Sequence, residues 1–260
     1  MFCGIDIGSR AVKIVLFDGA ELRKEKVIET AHFYKNCGVH TQAGFVVDFA
    51  GLLAEEPTEI AVTGYGRNSL NIVGAEILSE LKAHMLGAVW QTGLEDFTLL
   101  DLGGQDSKVI RVRRGRMDDF LLNDKCAAST GRYLENMATV LGISLDELSR
   151  HFANPVELSA TCAIFGESEL IGRIVEGATI PELAAGVNYS IFRRIKPMLL
   201  SLKSEIVVFT GGVALGPAVA HWVREEAGSR VVVPAHPQIN GAIGCALYAQ
   251  QRRVQNVIGN

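Results

Sequence analysis

GIDIGSRAVKIVLF begins at Gly4, and LLDLGGQDSKVIRV begins at Leu99. Both read aspartate, apolar residue, glycine, four residues, lysine, and then an apolar-rich run. Asp6, Gly8 and Lys13 answer to Asp101, Gly103 and Lys108 at a constant offset, so the chain carries a domain-sized internal repeat. Each copy predicts strand, tight turn, strand. The glycine lets the backbone close the turn and approach a ligand, and consecutive turn amides can point at a phosphate oxygen. The aspartate ends a strand of buried character, where a lone carboxylate is costly unless it binds something. A magnesium ion, reached through water, suits such a group beside phosphates. One copy alone would read equally well as an ordinary β-hairpin with a surface acid; two matched copies argue for a ligand.

The remaining sequence narrows the class. The 260 residues are 48% hydrophobic and 21% charged, with a formal net charge of −4, which gives no electrostatic footprint for nucleic acid. Arg111, Arg113, Arg114 and Arg116 form the one tight basic group and read as a solvated hairpin tip. MFCGIDIGSR lacks a basic region followed by a long apolar run, and no apolar run of about 18 residues exists for a membrane span. The expectation is a cytoplasmic protein with reduced thiols and no membrane contact. No Gly-Lys dipeptide occurs, which excludes a Walker-type loop, and no GxGxxG occurs. A third glycine signal, VVFTGGVALGPAV at 207–219, runs a β-branched strand into Gly211-Gly212 and a helix. That turn suits either a nucleotide or a tight structural corner.

Two of the five cysteines stand at predicted helix starts, Cys126 in NDKCAASTGRYLE (123–135) and Cys162 in ATCAIFGESELIG (160–172). Ser129 or Thr130 can cap the first helix, with Gly131 easing the turn. A helix N-terminus favours thiolate, the form that binds metal. Two thiolates are too few for an iron–sulfur cluster, which usually takes four, but a two-fold symmetric dimer repeats every residue and would supply the other pair. Two buried structural cysteines are the plain alternative. Cys3, Cys37 and Cys245 lack such surroundings and are assigned to packing or surface.

The two hairpins and the late Gly-Gly turn resemble the acetate and sugar kinase, Hsp70 and actin superfamily. That resemblance implies an α/β fold of two RNase H-like halves around an ATP cleft. The first half is expected at 1–92, with the last helix, near 240–253, packing back on it, and the second at 93–260. Strands are predicted near 2–7, 11–18, 24–30, 59–63, 97–102, 107–114, 118–122, 205–210 and 230–233. Helices are predicted near 42–55, 72–90, 128–141, 144–151, 163–176, 180–202 and 216–227.

Within that superfamily the chain is similar to the BadF/BadG/BcrA/BcrD-type ATPases, the ATP-dependent activators of 2-hydroxyacyl-CoA dehydratases. Benzoyl-CoA reductase ATPase subunits and the reductases of double-cubane cluster proteins belong to the same group. The likeness spans nearly the whole chain and rests on the two cysteine segments, TGYGR (63–67), DLGGQDSK (101–108), FTGGV (209–213) and GAIGCA (241–246). ELKAHMLGA (80–88) fits as well; taken alone, Glu80 and His84 would be a surface pair one helical turn apart. Arg10 stands where the family usually has threonine, Ser129 where it has glycine, and Gly166 where alanine is common.

The resemblance implies a homodimer in which Cys126 and Cys162 of each subunit hold one [4Fe–4S] cluster. It implies ATP/ADP and Mg2+ as further cofactors, with Asp6 and Asp101 organising magnesium and Gln105 orienting the attacking water. The nucleotide would meet Gly8, Ser9, Arg10, Ala11, Val12, Lys13, Gly103, Gly104, Gln105, Lys108, Gly211, Gly212, Val213 and Gln238. The implied activity is ATP-driven electron transfer, with ferredoxin or flavodoxin as donor and an iron–sulfur enzyme as acceptor. A small-molecule kinase such as an amino-sugar kinase is the rival enzyme, but it needs a general base facing a sugar pocket. A nucleotide-switched binding module is the rival without chemistry.

Overall fold

The structure, a computed structural model, describes residues 1–64, 71–123, 130–159 and 163–258. The chain divides into two compact units, residues 1–94 with 239–260, and residues 95–238.

The first unit opens with β1 (Phe2–Ile7), β2 (Ala11–Phe17) and β3 (Leu22–Glu29), then α1 (Thr30–Asn36), β4 (Gly38–Thr41), β5 (Gly44–Val47) and α2 (Phe49–Leu53). It continues with β6 (Glu59–Gly64), β7 (Ala75–Ile77) and α3 (Glu80–Thr92). Its main sheet runs in the order β3-β2-β1-β6-β7, with the first three strands antiparallel and β6 and β7 added in parallel. The central strand β1 is buried along most of its length, whereas β3, at the edge, is largely exposed and charged. That split follows from position: inner strands are covered on both faces, and an edge strand with lysines and glutamates resists pairing with other chains.

The second unit repeats this plan. It comprises β8 (Phe97–Leu102), β9 (Ser107–Arg113), β10 (Arg116–Asn123), α4 (Gly131–Leu141), α5 (Leu145–Leu148), α6 (Ala163–Val175) and α7 (Ile180–Ser201). It closes with β11 (Ile206–Thr210), a 3-10 turn at Gly212–Leu215, α8 (Pro217–Ala227) and β12 (Arg230–Val232). Its sheet order, β10-β9-β8-β11-β12, and its strand directions match those of the first unit. The duplicated sequence thus corresponds to a duplicated five-stranded sheet of the RNase H-like pattern. The four arginines sit at the β9–β10 end, where Arg114 takes a positive φ beside Gly115. The core of this unit packs Tyr133, Phe192 and Phe209 between the sheet and α4, α7 and α8.

α9 (Asn240–Ile258) belongs to the first unit and lies against β1, β6 and α3. Contact with α3 is very close: a Cβ on Gly244 would overlap the Ala83 carbonyl. Two expectations fail in the first unit. Residues 42–55 form the turn after β4, then β5 and the short α2, rather than one helix. Phe45 and Val47 are buried while Val46 is exposed, an alternation of two that suits a strand. The helix expected from residue 72 begins only at Glu80, because Ala75–Ile77 pairs with β6 as an edge strand. α1 was not anticipated. Among the described residues no helix is long and apolar enough to cross a membrane.

Candidate nucleotide site

Each repeat delivers one aspartate and one lysine to the mouth of its first hairpin. Asp6 is opposite Lys13 in the β1–β2 register, and Lys13 Nζ stands 3.2 Å from Asp6 Oδ2. Asp101 is opposite Lys108 in β8–β9, and Lys108 Nζ stands 3.4 Å from Asp101 Oδ2. The turns close identically, Gly8 N donating to Ala11 O at 3.1 Å and Gly103 N to Asp106 O at 3.0 Å. Both aspartates are buried, at 3% and 1% exposure, which answers the question of what neutralises a carboxylate at the end of an inner strand. An anion arriving at either turn would meet a lysine already held by the carboxylate.

The second unit gathers most of the predicted nucleotide residues. β11 runs parallel to β8 with Thr210 level with Asp101, and Thr210 Oγ1 donates to Asp101 Oδ1 at 2.8 Å. Gly211 and Gly212 follow directly and so emerge beside the Asp101 turn. Gln238 comes to the same end, its Nε2 being 4.0 Å from the point where a Gly212 Cβ would stand. Val213 approaches the same turn across Gly131. Gly104 is partly buried and Gln105 exposed at the tip. Lys108 is held twice, since Asp106 Oδ2 lies 2.6 Å from its Nζ. The sequence reading missed Asp106 and Thr210; the first is visible as a carboxylate two residues before the lysine, the second only through strand register.

In the first unit, Gly8, Ser9, Arg10, Ala11, Val12 and Lys13 form the matching turn. Val12 is fully buried in the core, so its backbone alone can meet a ligand. Arg10 reaches Glu29 in an exposed ion pair at 3.2 Å. Thr30, the first residue of α1, ties the turn down by donating its N–H to Arg10 O and its hydroxyl to Gly8 O at 2.7 Å. Glu80 and His84 are not a surface pair: His84 is buried, and with Asp6 the three residues bring ligand atoms within 4.8 Å of one another.

α4 is tied directly to the second unit's first turn. Its first two amides, Gly131 N–H and Arg132 N–H, donate to Gly103 O at 2.9 Å and Gly104 O at 3.0 Å. The Gly103–Gly104 turn is therefore latched to the start of the helix that follows Cys126 in sequence. Cys126 and Cys162 lie outside the described residues, as do Ser129 and Tyr65 to Arg67 of TGYGR. Cys3, Cys37 and Cys245 are buried, and desolvation pushes each thiol upward, with Asp48 adding to the effect on Cys37. These three are protonated packing residues.

A duplicated sheet with twin Asp-Gly-Lys turns and a Gly-Gly corner level with one of them defines a nucleotide-handling protein of the actin-like class. The chain belongs to the BadF/BadG/BcrA/BcrD ATPase family, whose model matches residues 3–249. It is 35% identical to the 2-hydroxyisocaproyl-CoA dehydratase activator of Clostridioides difficile over 98% of both chains. It is 36% identical to the (R)-2-hydroxyglutaryl-CoA dehydratase activating ATPase of Acidaminococcus fermentans over 96% of both. The solved structure of the Clostridium difficile activator with bound ADPNP superposes with a TM-score of 0.86 at 32% identity, covering 100% of this chain and 98% of that one.

Proposed function

We propose that this chain is an ATP-driven, low-potential electron donor. Two copies share one [4Fe–4S] cluster through Cys126 and Cys162 of each, and pass single electrons to an iron–sulfur enzyme of the dehydratase or double-cubane type. Ferredoxin or flavodoxin supplies the electrons. A cluster held there contributes one-electron chemistry; the chain's own residues bind nucleotide and move. Gly8 to Lys13 and Gly103 to Lys108 receive the phosphates. Asp6 and Asp101 organise magnesium through water, Gln105 orients the attacking water, and Gly211, Gly212, Val213 and Gln238 meet the nucleoside. Lowering a one-electron potential by ~200 mV takes about 4.6 kcal/mol, within reach of a nucleotide-coupled switch between discrete states.

The observation that carries this reading is the latch from Gly103 and Gly104 to the first amides of α4, because it gives nucleotide occupancy a covalently short route to the Cys126 segment. The names of the relatives, dehydratase activators and activating ATPase, support the same class. The test is anaerobic purification of the full chain. Broad visible absorption with iron at four per dimer, lost in Cys126→Ala, is expected. A colourless, iron-free preparation that still hydrolyses ATP would favour the kinase-like alternative and end this proposal.

A further inference from the structure

The two repeats treat their aspartates differently. In the second unit Asp101 takes Lys108 on one oxygen and the Thr210 hydroxyl on the other. In the first unit Thr63 holds the register position of Thr210, yet its hydroxyl turns away to Leu78 O at 2.8 Å. What faces Asp6 instead is α3, through Glu80 and His84, one turn apart on one side of that helix. Asp6 and His84 are 3% and 5% exposed, and Glu80 is half-buried. α9 closes the other side. A Cβ on Gly241 would stand 2.9 Å from His84 Nε2 and 3.2 Å from Asp6 Oδ2, so those two atoms converge on one point that only a glycine backbone can skirt.

We infer that Asp6, Glu80 and His84 form a binding site for a divalent transition-metal ion, coordinated directly by the protein and distinct from the magnesium of a nucleotide, which Asp6 would meet only through water. Two carboxylates and an imidazole suit Mn2+, Fe2+, Co2+ or Zn2+, whereas Mg2+ prefers oxygen ligands and keeps most of its waters. Metal–donor bonds of about 2.1 Å place donors up to about 4.2 Å apart. The present limit of 4.8 Å closes to that with a shift of about half an ångström. A divalent ion also balances the two carboxylates, and half-buried Glu80 provides its way in. Because the ion competes with Lys13 for Asp6, occupancy turns the Lys13 ammonium outward to the first turn. The site needs neither nucleotide nor Cys126 and Cys162, so it stands or falls apart from the electron-transfer reading.

The test uses the nucleotide-free, chelator-stripped full chain under anoxia, titrated with Mn2+, whose free form is followed by electron paramagnetic resonance. Mn2+ is chosen because it is a poor partner for thiolates. One ion per chain is expected, held against an equal concentration of Mg2+. Loss of one ligand weakens binding by at least about tenfold, in Glu80→Gln and His84→Ala alike, while binding persists in Asp101→Asn. Should His84→Ala not fold, Glu80→Gln decides alone, its folding checked by thermal unfolding. Absence of bound Mn2+, equal displacement by Mg2+, or affinity unchanged in the foldable variants overturns the assignment.

Discussion

Replacing Gly211 by alanine isolates the corner on which the second unit's site is built. Gly211 has φ 90 and ψ 175, a region essentially reserved for glycine. Forcing alanine into it costs about 1–3 kcal/mol. The added Cβ also overlaps the Leu102 carbonyl oxygen and lies 2.6 Å from its carbon, on the strand that ends at the Gly103 turn. Relieving such overlap by backbone movement costs a further 1–3 kcal/mol or so. The sum, about 2–6 kcal/mol, is large against a usual net stability of about 5–15 kcal/mol. With a urea dependence of about 2 kcal/mol/M, the unfolding midpoint should drop by about 1–3 M. Gly212→Ala is the control. Gly212 lies outside the left-handed region, and its Cβ would meet only Gln238 Nε2, at 4.0 Å. That variant should keep its midpoint within about 0.5 M while binding ADP more weakly in calorimetry, since on the proposed function the methyl stands where the nucleoside approaches. Equal midpoints for Gly211→Ala and the parent chain, or equal losses in the two variants, would refute the reasoning.

Asp101→Asn keeps the shape of the carboxylate and leaves Lys108 paired with Asp106 at 2.6 Å, so the protein should fold. ATP turnover should fall by about 10²–10³, the scale of losing one preorganised electrostatic group; a phosphate-release assay showing normal turnover would remove Asp101 from the mechanism. Amide hydrogen exchange at Gly131 and Arg132 should slow at least about tenfold when a non-hydrolysable ATP analogue binds, because their acceptors are Gly103 O and Gly104 O. Exchange indifferent to nucleotide would break the proposed link. Asp18 accepts the N–H groups of Glu21 and Ala20 and the Arg23 guanidinium, which lower its pKa from 3.8 to about 2. Its folded-state pKa is depressed, so its stabilisation is full well above pH 3.8 and is lost as pH falls through about 2. Asp18→Asn should therefore be less stable than the parent chain at pH 7, and the difference in denaturant midpoints should shrink steadily between pH 4 and pH 2.

What could be read from the sequence was what chemistry and period impose locally. The Asp-Gly-Lys spacing forces a hairpin whose ends meet, so Asp6–Lys13 and Asp101–Lys108 were legible, and so were most helix limits from α4 onward. The 42–55 stretch misled because Phe45, Val46 and Val47 satisfy a buried helix turn as well as a short strand. Only pairing with Gly38–Thr41 settles which, and pairing is not local. Thr210 and Asp106 escaped for related reasons: one reaches Asp101 through parallel register across 109 residues, the other through a lysine already assigned to Asp101. His84 escaped because i,i+4 spacing says which face a residue shares, not what α9 and β1 bring against that face.

The duplication carries an argument about where the cysteine segment entered. In both units the third strand leads to a helix whose first amides or hydroxyl hold the carbonyls of the first turn. Thr30 holds Gly8 and Arg10; Gly131 and Arg132 hold Gly103 and Gly104. In the first unit β3 ends at Glu29 and α1 begins at Thr30, with nothing between. In the second, β10 ends at Asn123 and α4 begins at Gly131, so seven more residues, Cys126 among them, stand in sequence between the corresponding elements. The pin itself is common property of the repeat and fixes the turn; the added residues are specific to one copy and are bounded on their C-terminal side by that pin. Under the proposed function, a change at Gly103 or Gly104 acts first on the C-terminal boundary of the residues that carry Cys126.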